Sequence, residues 1–240
     1  MSILTHKMKT ARKDYLGDNC KLFFPFNGGS GAQVTDIVGG VKTTFDSATH
    51  NVPHAITGHQ FTTGNTAPNE GTIPTIPKGK HIIALTSGII PTGGPAFGQI
   101  VFGQTSISDA GVAISSAGGV SNKGIASTSA AFGTLSAGDK AIRCFTFNNS
   151  TGELRTYSGI STGSVSFANT TDASAHIGAL ELTNSLQIGN NSTFVADWYV
   201  AAILVVNSLP SDSDLTSMLD WTLAQNIVGH KVIHPDFAKY

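Results

Sequence analysis

The clearest β-hairpin pattern in the chain is AIRCFTFNNSTGELRTYSG, residues 141–159. Side chains at 142, 144 and 146 alternate with those at 143, 145 and 147, which is the period of a β-strand. The run NNSTG at 148–152 is rich in turn residues, and the segment after it carries Leu154 and Tyr157. The stretch is therefore predicted to form an antiparallel β-hairpin.

Short β-type runs separated by turn residues continue on both sides of this hairpin. They are CKLFFPFN at 20–27, HIIALTS at 81–87, FGQIVFGQ at 97–104, GVAISS at 111–116, SVSFA at 164–168, LQIG at 186–189 and DWYVAAILVVN at 197–207. Many short strands at such spacing indicate a sandwich or barrel. We predict an all-β fold, an antiparallel jelly-roll sandwich, over residues 20–229.

One segment is predicted to be helical, SDSDLTSMLDWTLAQN at 211–226. Ser211 and Asp214 form a capping box, and leucines recur every four residues from Leu215 to Leu223. We expect this short C-terminal helix to pack on the edge of the sandwich.

The segment TTGNTAPNEGTIPTIPKGK at 62–80 contains Pro68, Pro74 and Pro77 and has little apolar periodicity. Proline fixes the backbone and removes a hydrogen-bond donor, which disfavours regular structure. We predict a long, rigid surface loop here.

Three segments together resemble one known family. KLFFPFNGGSGAQVTDIVG at 21–39 is similar to the opening strand of concanavalin A-like lectin/glucanase domains of the laminin G-like type, with a Gly-Ser-Gly turn and an aspartate, here Asp36, before the next glycine. The hairpin at 141–159 resembles the central hairpin of that family, and 186–219 resembles its closing strand and terminal helix. The resemblance implies a concanavalin A-like jelly roll. Such sandwiches serve as lectins, glycosidases, adhesion modules and viral structural parts, so the fold alone does not select a function.

The closing strand departs from the family pattern. Where family members often carry an acid and an arginine, this chain has the unbroken apolar run VAAILVV at 200–206. A continuous apolar strand implies burial on both faces, whereas an alternating strand exposes one. We therefore expect a second covering layer, formed by long loops, the proline-rich segment or another subunit.

Composition excludes several classes of function. Charged residues make up 12% of the chain, about half of the ~25% usual in soluble domains, and the formal net charge is −1. This charge gives nucleic-acid binding no electrostatic basis. No run approaches the ~20 apolar residues of a membrane span, and in MSILTHKMKTARKDYLG the charges follow the apolar patch, the reverse of a signal peptide. We expect synthesis in the cytoplasm, where Cys20 and Cys144 are buried thiols.

The carboxylates do not form a catalytic pattern. Glycoside hydrolysis needs two carboxylates roughly 5–10 Å apart, but the chain lacks a Glu-x-Asp strand and the Glu-x-Asp-x-x-Glu strand of the glucanase branch. Asp212 and Asp214, the closest acidic pair, belong to a helix start, where negative charge offsets the helix dipole. We predict that the protein is not an enzyme.

Metal-binding patterns are similarly poor. Three histidines fall within THNVPHAITGHQF at 49–61, but their spacings fix no common face, so loop histidines are favoured over a zinc site. Calcium needs several convergent oxygens, and the loop aspartates stand alone in the sequence. These aspartates are Asp36, Asp46, Asp109 and Asp139. We predict no metal and no cofactor, with a single Ca²⁺, which the family resemblance permits, as the alternative.

Aromatic side chains supply the candidate binding residues. Trp198 and Tyr199 are candidates for stacking on a glycan or for packing at an interface, since aromatic faces suit both. Neighbours on a strand point to opposite faces, so at most one of them is exposed and packing is favoured. Trp221 lies beside the leucine stripe of the helix, where a packing role is expected.

The N-terminal segment differs in composition from the rest. Residues 1–19 form a basic arm with Lys7, Lys9, Arg12, Lys13 and Tyr15 as docking residues. A polar arm is expected to lie on a neighbour, either a copy of the chain or another protein. Residues 230–240 form a tail whose apolar side chains are expected to dock on the body more weakly. They are Val232, Ile233, Phe237 and Tyr240.

Few charges with abundant Ser, Thr, Gly and Ala resemble the composition of bacteriophage virion proteins such as head decoration, fibre, tail or baseplate parts. We predict a non-enzymatic structural protein of a phage particle, located in the virion and docked through its arm to other virion proteins and copies of itself. The alternative is a carbohydrate-binding lectin or adhesin for host attachment through surface glycans. A glycoside hydrolase is third.

Overall fold

The structure is a computed structural model. It describes residues 19–25, 33–40, 42–44, 51–53, 59–61, 69–73, 81–89, 97–102, 111–115, 119–123, 129–131, 135–136, 138–172, 186–190, 198–227 and 233–240.

The described chain is dominated by β-strands. In chain order they are β1 (Cys20–Pro25), β2 (Gln33–Thr35), β3 (Lys42–Thr44), β4 (Asn51–Pro53), β5 (His59–Phe61), β6 (Asn69–Ile73), β7 (His81–Ile89), β8 (Phe97–Phe102), β9 (Gly111–Ser115), β10 (Gly119–Lys123), β11 (Ser129–Ala131), β12 (Lys140–Asn148), β13 (Glu153–Gly159), β14 (Ser166–Asp172), β15 (Leu186–Asn190), β16 (Trp198–Val200) and β17 (Ala202–Val206). Helix α1 (Asp212–Ile227) and a 3-10 helix (Pro235–Lys239) follow.

The strands form two large sheets. One six-stranded sheet has the order β1-β17-β7-β12-β13-β14, and the other has the order β11-β10-β9-β8-β15-β6. The smaller sheets are β16-β5-β4 and β2-β3. Neighbours such as β12 and β7, or β17 and β1, pair antiparallel. The predicted all-β sandwich with one C-terminal helix is thus confirmed.

The hairpin predicted at residues 141–159 forms as expected. β12 and β13 pair from Ile142 opposite Gly159 to Asn148 opposite Glu153. In the turn, the Asn148 Oδ1 accepts hydrogen bonds from the backbone N–H of Ser150 at 3.0 Å and of Thr151 at 3.2 Å. Gly152 closes the turn with φ of 74°, a backbone conformation that suits glycine.

The closing strand is buried on both faces, as its unbroken apolar sequence predicts. Every residue from Ala201 to Val206 is at most 3% exposed. Ala201 separates β16, in the three-stranded sheet, from β17, in the sheet that also contains β7. Its backbone N–H donates to the carbonyl of Leu85 at 2.8 Å.

The second covering layer is the C-terminal helix. We call the helix-covered side of the sheet β1-β17-β7-β12-β13-β14 the outer face. Its buried cluster contains Phe23, Ile83, Leu85, Ile142, Cys144, Tyr157, Leu204 and Val206 from the sheet, and Leu215, Met218, Leu219, Leu223, Ile233 and Phe237 from the C-terminal segment. The prediction that α1 packs on the sandwich edge holds in part, because α1 contacts the edge strand β14 but also reaches β13 and β12 on the sheet face. The helix and the C-terminal segment cover this face, in place of the loops, the proline-rich segment or the other subunit expected from the sequence.

The helix begins as its sequence indicates. The Ser211 Oγ accepts from the backbone N–H of Asp214 at 3.2 Å, as in a capping box, and the Ser211 hydroxyl donates to the Asp214 Oδ2 at 2.7 Å. No helix of the described residues is long and apolar enough to cross a membrane.

The C-terminal segment also docks on the outer face. Ile233 and Phe237 are buried at 7% and 0% exposure. The His234 Nδ1 accepts from the backbone N–H of Asp236 at 3.1 Å and caps the 3-10 helix, while the His234 N–H donates to the Thr222 Oγ1 at 3.1 Å. The expected docking holds for these two apolar residues, and Val232 lies outside the described residues.

Two boundaries differ from the sequence-based expectation. The proline-rich segment 62–80 contains the strand β6, which uses the five residues between Pro68 and Pro74 and lies at the end of its sheet, where proline is tolerated nearby. The strand predicted at 164–168 begins at Ser166, because Ser164 is engaged in a tight loop with Ile160 and Ser161.

Candidate functional site

An exposed aromatic ring marks the outer face beside helix α1. Phe167 is 44% exposed, although it lies on β14 directly opposite the buried Tyr157 of β13. The two rings pack edge to face with centroids 5.8 Å apart. This contact orients the Phe167 ring and leaves much of it open to solvent.

A polar network continues from Tyr157. The Tyr157 hydroxyl donates to the Asp212 Oδ1 at 2.7 Å, and Asp212 is the first residue of α1. The Arg155 Nη1 donates to both oxygens of the same carboxylate, at 2.8 Å and 3.0 Å. Arg155 and Tyr157 point to one face because they are two residues apart on a strand. The network therefore fixes the helix start to β13.

The network ends at Glu153 and Thr170. The Arg155 Nη2 lies 3.0 Å from the Glu153 Oε1, and the Thr170 hydroxyl is 3.4 Å from the same oxygen. Thr170 lies opposite Arg155 on β14. We call the patch formed by the following residues the Phe167 surface. Its members are Glu153, Arg155, Tyr157, Phe167, Thr170 and Asp212.

The environment fixes the protonation of two members of this surface. Burial of the phenol, followed by its hydrogen bond to Asp212, raises the pKa of Tyr157 well above its usual range. The hydrogen bond to Glu153, together with Asp212, raises the pKa of Arg155. Tyr157 therefore remains a neutral hydrogen-bond donor and Arg155 a full cation at ordinary pH.

A tight loop connects β13 to β14, the strand that carries Phe167. The Ser164 Oγ accepts from the N–H groups of Ile160 at 3.0 Å and Ser161 at 2.9 Å. The backbone N–H of Gly163 donates to the Asp220 Oδ1 at 2.6 Å, which ties the loop to α1. A Cβ on Gly159 would lie 2.8 Å from the Val165 backbone, so this position accepts only glycine without movement.

This arrangement can bind a ring with one apolar face and several hydroxyl groups. The Phe167 ring offers a stacking platform, and the neighbouring hydroxyl, carboxylate and guanidinium groups offer donors and acceptors. Most of these groups are already ordered by mutual hydrogen bonds, so little conformational entropy is lost when a ligand binds.

The described part of the structure does not test the binding and docking residues predicted from sequence. Trp198 and Tyr199 lie on β16, opposite Phe61 and Gln60 of β5, and their side chains lie outside the described part of the structure. The arm residues Lys7, Lys9, Arg12, Lys13 and Tyr15 lie outside the described residues altogether. Both predictions stay untested.

The predicted packing role of Trp221 is met only in part. Its ring packs edge to face on His234 with centroids 4.9 Å apart, but the residue is 37% exposed.

Two loop aspartates considered for calcium have structural roles. Asp36 is 1% exposed and accepts from the N–H groups of Phe23, Val38 and Gly39. Asp139 accepts from the N–H of Ser136 at 2.8 Å. Among the described residues, no group of three or more His, Cys, Asp or Glu side chains is arranged to hold a metal ion.

The two cysteines are buried and free, as predicted. Burial raises the pKa of the Cys20 thiol to about 12 and that of Cys144 further. Both thiols are therefore unreactive side chains of the outer-face cluster.

Sequence reasoning misses the Phe167 surface because its members are far apart in the chain. The pair Arg155 and Asp212 is separated by 57 positions, and the local pattern assigns Asp212 only to the helix dipole. One local signal is present, since the alternation of Glu153, Arg155 and Tyr157 on a strand places all three on one face. The register with β14 adds Phe167 and Thr170.

Comparison with known proteins supports the fold. No protein-family model and no curated protein sequence matches the chain. Among solved structures, a Trypanosoma rangeli sialidase in complex with 2,3-difluoro-KDN is similar over 94% of this chain and 39% of its own, with TM-score 0.58 and 10% identity. A botulinum neurotoxin type C structure is similar over 88% of this chain and 53% of its own, with TM-score 0.58 and 11% identity.

A third similar structure is the binding domain of botulinum neurotoxin DC in complex with SialylT. It has TM-score 0.57 and 12% identity, and the match covers 86% of this chain and 52% of that one. The chain thus spans well under two thirds of each of these proteins. At such identities the similarity shows the fold alone, and that fold is an antiparallel β-sandwich.

Proposed function

We propose that this protein is a carbohydrate-binding module that recognises glycans through the Phe167 surface. The observation that carries the proposal is the exposed Phe167 ring, held edge-on by Tyr157 and bordered by hydrogen-bonding side chains. Sugar rings stack their apolar C–H faces on aromatic rings, while their hydroxyl groups bond to neighbouring polar groups.

The fold supports the same class of function. Cell entry of the similar type C neurotoxin depends on its interaction with two ganglioside molecules, and the sialidase structure holds a sugar-derived ligand. Fold alone does not transfer function, so the proposal rests on the surface and takes the fold as support. No catalytic step is proposed, because Glu153 and Asp212 both bind the guanidinium that stands between them.

Replacing Phe167 with alanine is expected to weaken glycan binding at least about tenfold, because an exposed stacking aromatic carries a large share of a small interface. The measurement is a glycan-array screen of the full chain, followed by titration of the strongest ligand by calorimetry. Phe167 is nearly half exposed, so the variant is expected to fold with an unchanged circular dichroism spectrum.

Two variants sharpen this test. Trp221→Ala removes another exposed aromatic, on the flank of α1 that meets the C-terminal segment, and is expected to leave binding unchanged. Trp198→Ala tests the aromatic candidate predicted from sequence. Loss of binding in Trp198→Ala with full binding in Phe167→Ala would move the site to β16 and contradict the placement proposed above.

A second candidate function rests on composition. The chain has only 12% charged residues and a basic N-terminal arm, which favour a structural component of a bacteriophage particle, located in the virion and attached through that arm. Light-scattering mass of the full chain and of a version lacking residues 1–16, each with and without purified phage particles, tests this candidate. A defined oligomer or particle binding that disappears on truncation supports it, and two monomers that ignore particles contradict it.

A further inference from the structure

We propose that the Phe167 surface selects uncharged sugars and discriminates against glycans that end in an acidic sugar such as sialic acid. This inference rests on the proposed function and adds the chemical class of its ligand. It depends on the distribution of charge around the Phe167 ring and on the carboxylate contacts that Arg155 already makes within the protein.

The described charges of the Phe167 surface are mostly negative. Within the hydrogen-bonded network, Arg155 is one cation between the two carboxylates of Glu153 and Asp212. A further carboxylate, that of Asp220, binds the loop between β13 and β14 at the Gly163 N–H. An acidic sugar stacked on Phe167 would therefore bring its carboxylate into a region of net negative charge.

Arg155 is poorly placed to offset this charge for a ligand. Its Nη1 is shared between both Asp212 oxygens and its Nη2 faces Glu153, so both terminal nitrogens already have a carboxylate partner. Recognition of a carboxylate by arginine uses two parallel N–H donors in a fork, and here that fork is occupied within the protein. A sialic acid would have to displace a carboxylate that belongs to the network.

The start of helix α1 does not make the net charge of the Phe167 surface positive. A helix N-terminus carries about half a positive charge, which favours anions nearby. In this helix Asp212 and Asp214 occupy the first turn, and Asp214 is also bound to the N-cap Ser211. The partial positive charge is thus met by protein carboxylates.

The test is an array of neutral oligosaccharides, each printed beside its sialylated counterpart, such as lactose beside sialyllactose. Full-length protein is applied at low and at high salt. We expect the sialylated member of each bound pair to bind roughly three- to tenfold more weakly at low salt. The difference is expected to narrow at high salt, because salt screens interactions between exposed charges.

The variant Glu153→Gln tests the charge argument directly. Glutamine keeps the size and an acceptor oxygen for Arg155 but removes one negative charge, so the neutral-to-sialylated affinity ratio is expected to fall toward one. Asp139→Asn is the matched control, since it removes a negative charge at the opposite end of β12, roughly 30 Å along the strand from the hairpin turn. The control is expected to keep the wild-type ratio.

Each outcome separates the two proposals. Equal or tighter binding of sialylated glycans, lost in Phe167→Ala, would overturn the charge selection and leave the glycan-binding function standing. An unchanged ratio in Glu153→Gln would also overturn it. Binding of no glycan by the wild-type chain would overturn the proposed function and this inference with it.

Discussion

Replacing Asp36 with alanine is expected to lower the free energy of unfolding by about 3–4 kcal/mol. The Asp36 side chain is 1% exposed and accepts three backbone hydrogen bonds, from Phe23 at 2.7 Å, Val38 at 3.0 Å and Gly39 at 2.5 Å. Hydrogen bonds to an ionised group contribute ~1.5–3 kcal/mol each, and the cost of burying the carboxylate offsets part of their sum. Urea unfolding followed by circular dichroism measures the change.

The expected loss is large because Asp36 joins two parts of the fold. The Phe23 N–H belongs to strand β1, while Val38 and Gly39 belong to the turn that follows Asp36. The backbone N–H of Ile37 also donates to the Phe23 carbonyl at 2.9 Å, so the turn and strand are bonded in both directions. Without the carboxylate, the buried Phe23 N–H loses its acceptor.

Two further variants check this explanation. Asp36→Asn keeps an oxygen that can accept from Phe23 and Val38, so it is expected to lose roughly half as much stability as Asp36→Ala. Asp139→Ala removes an exposed aspartate that accepts from only the Ser136 N–H, and a loss below about 1 kcal/mol is expected. Equal effects of Asp36→Ala and Asp139→Ala would contradict the role assigned to the buried carboxylate.

Local sequence patterns predict most of the fold. The hairpin around Asn148 and the start of helix α1 at Ser211 form with the expected residues, since turn chemistry and capping depend on neighbours within four positions. The burial of both faces of β17 also follows from its unbroken apolar sequence. These features depend on side chains that are close in the chain.

Features that depend on distant contacts are harder to predict. The helix lies on the sheet face, where it contacts β12, β13 and β14, and no local pattern states which surface an apolar stripe will cover. The Phe167 surface likewise requires the register between β13 and β14 and the placement of Asp212. The role of Asp36 does not follow from the sequence either, because its partners are backbone groups and one of them, Phe23, is 13 residues away.

Replacing Phe237 with alanine is expected to lower the free energy of unfolding by about 3 kcal/mol and to expose the Cys20 thiol. Phe237 is completely buried in the outer-face cluster that also contains Cys20, and the 3-10 helix that carries it contacts β1. The measurements are urea unfolding and the rate at which a thiol reagent modifies the native protein. The rate at Cys20 is expected to rise at least about tenfold, since local opening becomes easier.

Cys20 reports on the C-terminal segment because the 3-10 helix of that segment contacts strand β1, which begins at Cys20. The described backbone ties of the segment are the His234 N–H to Thr222, the Asn207 N–H to the Tyr240 carbonyl at 3.3 Å, and the Asn19 amide to the Lys239 carbonyl at 3.4 Å. Hydrogen bonds of this kind contribute about 1 kcal/mol each, which is less than the burial of one phenylalanine ring. Phe237 is therefore expected to make the largest single contribution to the docking of the segment.

The two thiols distinguish local release from general unfolding. Cys144 lies on the central strand β12 and is completely buried beneath the sheet's cover, so it is expected to remain unreactive in Phe237→Ala under native conditions. A Cys20→Ala/Phe237→Ala double variant assigns the signal, since it should lose the fast reaction. Phe237→Leu, which keeps most of the apolar volume, is expected to restore the slow rate. If both thiols react together in Phe237→Ala, the segment is an integral part of the sheet's cooperative unit; if neither rate changes, Phe237 does not anchor it.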